Sequence, residues 1–489
     1  MSNPNPASTI NQTFLTRKFY RSVMIGIFLS VAILYTLSFF VPFNSQLQTR
    51  KDASGFEHHY ASKFFYFYYY TGFFPLATLD TQLNYSSLGA KNEIAMHGKD
   101  LIMEYKHWSR LGEHARIGCY MPDAVVKGTA QNPSLKLFNT LFFLLGLCLL
   151  FHGFYVSKHP LIGLILCSLI LLTPFFHYEV FRNENIFALQ ASVFFIVMGL
   201  LLPTLLNPAT YLGKSILMVV IASLVLAFCS EIRNEISIVF ACLLIMILLS
   251  SSLGGISKSM LLLVAILFFA GGKKLIQRHF DVKYEKTKQL VASKGGHVYN
   301  GQKIAGHKLW HPIFCGLGDY DQQFGYAWND TVAYAYAVPI LNERYQMHLN
   351  YSGKLYTDNY YDSAHLYYIK FDEIPQYESV VKEKVLNDIQ HHPMWYLKIL
   401  GQRFLKICST TLPIPFMGFV AMLGFIFFIY QKKSSYVKLI LVSLPLSATS
   451  LLIYSGKGAT YNAMFGYLIL AFLLYEFIQF YTKKRSCNQ

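Results

Sequence analysis

The chain is short of charge. Asp, Glu, Lys and Arg make up 14% of its 489 residues, where soluble domains average about 25%. Hydrophobic residues reach 54% and mean hydropathy is +0.34. A soluble globular fold is thereby excluded, and an integral membrane protein is required. Absent too are a GxxxxGK[ST] phosphate loop, a GxSxG elbow and an HExxH helix, which argues against an ATP-driven pump or a zinc protease. The 8 Cys contain no C-x-x-C pair and no Cys/His cluster at ligand spacing, so no metal ligand set is assigned. No solenoid-type period is present. Acids are the scarcer charge, 26 against 42 Lys plus Arg, leaving a formal charge of +16. No basic tract is long enough to argue for nucleic acid. Much of the excess flanks apolar runs, as positive-inside anchoring and contact with anionic membrane lipid require. An anionic lipid-linked substrate fits the same charge.

What is there divides the chain into alternating apolar and polar blocks. Residues 1–43 hold a polar tail, then Arg17, Lys18 and Arg21 ahead of an apolar run near 23–41, long enough to span. No small-residue cleavage site comes after it, so this helix is expected to be retained with its N-terminus cytoplasmic. Residues 44–136 form a first external loop. The all-aromatic run from Phe64 to Tyr70 predicts an interfacial helix. Leu101, Tyr105, Trp108 and Leu111 at helical spacing predict a small helical subdomain. Six apolar runs near 137–155, 160–177, 186–206, 215–230, 235–252 and 258–271 fill the block 137–271. A second external segment covers 272–410, and runs near 412–430, 437–454 and 462–481 close the chain before a basic tail. The expected fold is therefore an all-α polytopic membrane protein, with about ten transmembrane helices and two large external, mainly helical segments. Alternation places Lys158, Lys214 and Lys258 inside. It places the turns carrying Glu179, Arg182 and Glu184, and Glu231, Arg233 and Glu235, outside. Charges at helix ends facing a bundle interior are candidates for function, with local Arg–Glu pairing as the alternative.

The stretch from Trp310 to Asp330, WHPIFCGLGDYDQQFGYAWND, carries no Lys or Arg, and no helical or strand period runs through it. It reads as a compact loop packed on its own aromatics, either a ligand site or a packed loop whose Asp residues cap turns. Gly316 and Gly318 would permit a tight turn aiming Asp319 and Asp321 inward. His311, Asp319, Asp321 and Asp330 are the candidate substrate contacts, and Trp310 and Trp328 are expected to pack. After it, a helix, a break at Pro393 and an amphipathic helix are expected. Cys148, Cys167, Cys229 and Cys242 read as core. Cys119 and Cys315 are expected to be reduced, or else to bridge the external segments.

One helix, a large first loop, a helical module, a second external segment and further helices together resemble the GT-C superfamily of membrane glycosyltransferases, over the whole chain. That family places an acidic pair in an Asp-Glu-x-x-Tyr setting early in the first loop. Here the stretch is Phe56-Glu57-His58-His59-Tyr60, with Phe56 where the first acid would stand. The resemblance implies Glu57 as catalytic base, Asp52 as the reserve, and Tyr60 as a substrate contact. It also implies Glu184 and Glu235 in the family's outer-turn positions and Lys457, in KGATYN, near a lipid phosphate. Arg182 and Arg233 would join Lys457 at the donor phosphate. The activity this resemblance implies is transfer of a sugar from a polyprenyl-phosphate donor to a glycolipid or polymer acceptor at the outer face. Such transfer needs a carboxylate to deprotonate the acceptor and cations, from the protein or a divalent metal, for the departing phosphate. His58 and His59 are adjacent and point apart on a helix, so they read as surface residues. The rival readings are a surface-polysaccharide polymerase or ligase, and a lipid or oligosaccharide transporter.

Overall fold

The structure is a computed structural model that describes residues 16–40, 135–181, 188–206, 212–251, 253–293, 309–347, 349–351, 358–362, 365–368, 375–410, 416–453 and 464–487. The interfacial and helical elements expected within 44–133 lie outside the described residues. So do Asp52, Glu57, Tyr60, Cys119, Arg182, Glu184 and Lys457.

The described chain is almost wholly helical. In order it forms α1 Arg17–Leu37, α2 Leu135–Val156, α3 Pro160–Leu171, α4 Pro174–Phe181, α5 Ala188–Leu206, α6 Leu212–Ile232, α7 Ser237–Leu249 and α8 Gly255–Ser293. Next come α9 Trp310–Leu317, α10 Asp330–Tyr345, α11 Pro375–His391 and α12 Pro393–Thr410. The last four helices are α13 Met417–Tyr430, α14 Ser434–Val442, α15 Leu444–Leu452 and α16 Met464–Cys487. Between α10 and α11 lies one small antiparallel sheet, β1 Asn350–Tyr351, β2 Asp358–Asp362 and β3 His365–Tyr368, in the order β1-β2-β3. This sheet is a small departure from the all-α expectation.

Among the described residues α1, α2, α5, α6, α8 and α16 are long and apolar enough to cross a membrane. The pair α14 and α15, bent by 48°, would make a seventh crossing. This is a multi-pass membrane protein. Three boundaries differ from the pattern of apolar runs. The run at 160–177 is cut at Thr173, because Pro174 has no N–H to continue α3. The run at 437–454 breaks at Ser443, where Pro445 opens α15. The run at 258–271 does not end at Gly271 and Gly272. Instead α8 continues for 39 residues, about 58 Å at 1.5 Å per residue and nearly twice a bilayer core.

Small residues set the helix contacts, as expected where lipid offers no hydrophobic drive between helices. A Cβ added at Gly153 would strike the Gly199 carbonyl, and one at Gly199 would strike Leu149 backbone. One at Gly146 would lie 2.9 Å from the Ser192 carbonyl. Residues along α2 thus meet residues in rising order along α5, so the two helices run parallel. By the same test α6 and α8 run parallel. Gly272 packs against Leu224 and Ala227, and one turn on, Gln277 and Lys273 reach Glu231. At the opposite end of this group, Ser250 Oγ donates to the Thr204 carbonyl at 2.8 Å, and Thr204 and Ser215 share a 3.1 Å hydrogen bond.

Candidate functional site

Past α8 the chain builds a helical subdomain from α9, α10, α11 and α12. Trp310 to Leu317 is a helix rather than the first part of a loop, which corrects the sequence reading. Its first turn tolerates Pro312, and the Trp310 N–H donates to Glu378 Oε2 of α11 at 3.1 Å. The stretch then turns at Gly318, where a Cβ would collide with Ala327 backbone, and at Gly325, with φ +76°. Asn329 caps α10 by accepting from the Thr331 N–H at 3.1 Å. That cap fixes Asp330 in the first turn of α10.

Helical spacing puts His311 and Cys315 on one face of α9. His311 is 2% exposed. Its Nδ1 and Tyr377 Oη share a 2.6 Å hydrogen bond, and Tyr334 stacks on the ring at 5.4 Å. Nε2 lies 3.2 Å from Asp330 Oδ1 and 3.7 Å from Cys315 Sγ, and Sγ lies 3.8 Å from the same Oδ1. Three donor atoms of different chemistry therefore face one point. Cys315 is buried, and the choice between reduced thiols and a bridge to Cys119 turns on a residue outside the described ones. The structure brings His311 and Asp330 together as candidates. Cys315 and Tyr377 complete the group, although the sequence pattern did not single them out for it.

Asp319 and Asp321 do point inward, but to cations on α12. Asp319 Oδ2 stands 3.5 Å from Arg403 Nε and Asp321 Oδ2 3.6 Å from Lys398 Nζ. Arg403 is fully buried, and its Nη1 donates to the Leu451 carbonyl at the end of α15, 3.1 Å away. Nη2 has no hydrogen-bond partner among the described residues, and Nε meets Asp319 without hydrogen-bond geometry. Burial pushes the guanidinium's pKa down, and Asp319 opposes the shift. Trp395 of α12 stacks on Tyr326 at 5.4 Å and meets Phe324 edge-on at 5.1 Å, which clamps the 318–328 turn to α12.

The other described candidates sit apart from this group in sequence and in bonding. Arg233 Nη2 donates to Glu235 Oε1 at 2.7 Å, the local pairing weighed as the alternative to substrate contact. Glu231 accepts from Gln277 Nε2 at 2.9 Å, with Lys273 Nζ at 3.6 Å. Trp310 packs against the core as expected, whereas Trp328 is 38% exposed. Arg403 was missed because only its place in an amphipathic helix was visible. The His-x-x-x-Cys spacing was visible, but a helix is needed to give that spacing meaning. No protein-family model, curated protein or solved structure matches this chain.

Proposed function

We propose that the protein is a membrane glycosyltransferase of GT-C type, moving a sugar from a polyprenyl-phosphate donor to a glycolipid or polymer acceptor at the outer face. The observation that carries this reading is Arg403, a fully buried guanidinium with an Nη2 that no described residue accepts from. It lies where the polar subdomain, through Asp319, meets the bent apolar pair, through the Leu451 carbonyl. A guanidinium there suits a lipid phosphate, since it can present two N–H groups to two oxygens. In this reading Glu57 is the base, with Asp52 in reserve. Tyr60 and Glu184 contact sugar or acceptor, and Arg182 and Lys457 join Arg403 at the phosphate. The six long helices, the bent pair and the three shorter apolar helices α3, α7 and α13 together make about ten crossings, with both termini cytoplasmic.

Incubation of the full chain in detergent with a radiolabelled polyprenyl-phosphate sugar tests the reading, and free lipid phosphate should be released. Glu57→Gln should cut turnover by roughly a hundredfold or more while leaving donor binding. Arg403→Met should weaken donor binding by roughly 10- to 150-fold, the equivalent of ~1.5–3 kcal/mol for charge-assisted hydrogen bonds. Asp319→Asn, which removes the competing anion, should not weaken it. Unaltered donor in every reaction would remove the glycosyl-transfer reading. A transporter is the second reading, favoured by the 48° break between α14 and α15, since broken spans are a transporter device. It would move intact donor across sealed vesicles instead.

A further inference from the structure

The donor atoms of His311, Cys315 and Asp330 form a triangle with edges of 3.2, 3.7 and 3.8 Å. A tetrahedral zinc ion at ~2.0–2.1 Å from nitrogen and oxygen and ~2.3 Å from sulfur holds its donors about 3.3–3.6 Å apart. The two sets of lengths agree within a few tenths of an ångström. We propose that these three side chains are a three-ligand site for a zinc-class divalent ion, with a fourth position open to water or a substrate oxygen.

Three features favour a chelate over a nucleophilic Cys–His–Asp relay. In a relay the imidazole bridges its partners, one through each nitrogen. Here both Cys315 Sγ and Asp330 Oδ1 approach the same Nε2, while Nδ1 is taken by Tyr377 Oη at 2.6 Å. A ring nitrogen tied to an oxygen partner is the usual support of a metal-bound histidine, because it fixes the ring and raises the basicity of the other nitrogen. Thiolate, imidazole and a single carboxylate oxygen also match zinc and its relatives rather than magnesium or calcium, which take oxygen donors alone. The side chain of Asp330 is 43% exposed while that of His311 is 3% exposed. The site therefore has a closed, aromatic side walled by Tyr334 and Tyr377 and one side open to solvent. Loading would displace the Cys315 thiol proton to solvent, so apparent affinity should fall as pH falls. The site stands independently of the sugar-transfer reading.

Cobalt(II) is the probe. The full chain in detergent, stripped with a chelator and titrated with cobalt(II), should develop a thiolate-to-cobalt charge-transfer band and the intense visible bands of a four-coordinate ion. Zinc should abolish both. Cys315→Ser should lose the charge-transfer band, while Cys408→Ser, which alters another buried thiol, should keep it. Should Cys315→Ser fail to fold, Asp330→Asn at the exposed ligand and Tyr377→Phe carry the test, each weakening cobalt binding by ~10-fold or more. No band from the unsubstituted chain, or a band that survives both Cys315→Ser and Asp330→Asn, would overturn the site and leave a hydrogen-bonded polar cluster only.

Discussion

Tyr326 and Arg403 meet the same problem, a polar group taken out of water, with different outcomes. Tyr326 is fully buried, and its hydroxyl donates to Asp388 Oδ2 at 2.8 Å. Lys384 balances that carboxylate at 2.9 Å and lies 4.8 Å from the Tyr326 ring centroid. Burial, and then Asp388, push the phenol's pKa well up, so the fold holds it protonated. A folded pKa raised above the unfolded value gives stability that is complete below about pH 10 and is lost as pH rises beyond it. Tyr326→Phe should therefore cost ~0.5–1.5 kcal/mol at neutral pH and reduce the alkaline loss of stability. Thermal unfolding in detergent at neutral and alkaline pH reads both, and an unchanged alkaline slope would count against the pairing. Arg403 has no such complete set of acceptors, which is why it is a candidate for ligand contact and Tyr326 is not. The sequence could suggest neither difference. Both depend on which side of α12 meets the 318–328 turn, and the composition of α12 leaves that open.

At the scale of elements, legibility tracked local chemistry. The break between α11 and α12 was readable because Pro393 removes an N–H and can only begin the second helix. The long apolar helices were readable from composition alone. Helix α9 was not, since eight residues containing a proline and a glycine give no period. With α9 unread, the shared face of His311 and Cys315 could not be read either. The sheet was hidden for a similar reason, its strands being two to five residues long. Glycine was the most ambiguous signal, because the same residue ends a helix or lets two helices touch. Gly271 and Gly272 suggested an end, yet Gly272 is a packing site against α6. The structure separates these roles sharply enough to test. Gly199→Ala puts a methyl into Leu149 backbone and should cost about 1–3 kcal/mol or more, as overpacking does. Gly401→Ala, on an exposed face of α12 with nothing within 4 Å, should gain up to about 1 kcal/mol of helix propensity. Melting of the two variants in detergent should move in opposite directions. If Gly199→Ala melts like the unsubstituted chain, the backbone contact between α2 and α5 is not as close as described.

For the whole molecule, the register marks define two ends of the bundle. Parallel α6 and α8 require α7 to run back between them, so Glu231, Lys273 and Gln277 gather at one end. Thr204, Ser215, Ser250 and Lys258 gather at the other, with Lys258 Nζ donating to the Leu248 carbonyl at 2.8 Å. The chain leaves α8 beyond Glu231, so the subdomain bearing His311 belongs to that first end. Basic residues lie at both ends, with Lys273, Lys274, Arg278, Lys283, Lys286 and Lys288 on the part of α8 at and past the first end. Lys214 and Lys258 lie at the second end, and Lys432 and Lys433 lie in the turn before α14, where Lys433 and Tyr436 bond Glu476 of α16 at 2.9 Å. Short lysine-bearing turns favour the cytoplasmic side, and the proposal that the subdomain is external rests on those turns. Single cysteines at exposed described positions test this in intact cells. Gln346→Cys, after α10, should react with a membrane-impermeant maleimide, while Ser251→Cys and Ser434→Cys should react only after permeabilisation. Reaction of Ser434→Cys and Ser251→Cys with Gln346→Cys silent would invert the molecule and move the proposed chemistry to the cytoplasm. Reaction of Ser434→Cys from outside with Ser251→Cys protected would keep the first half of the bundle. It would then require α13 not to cross, because α13 is the one described helix between α12, the last of the subdomain, and Ser434.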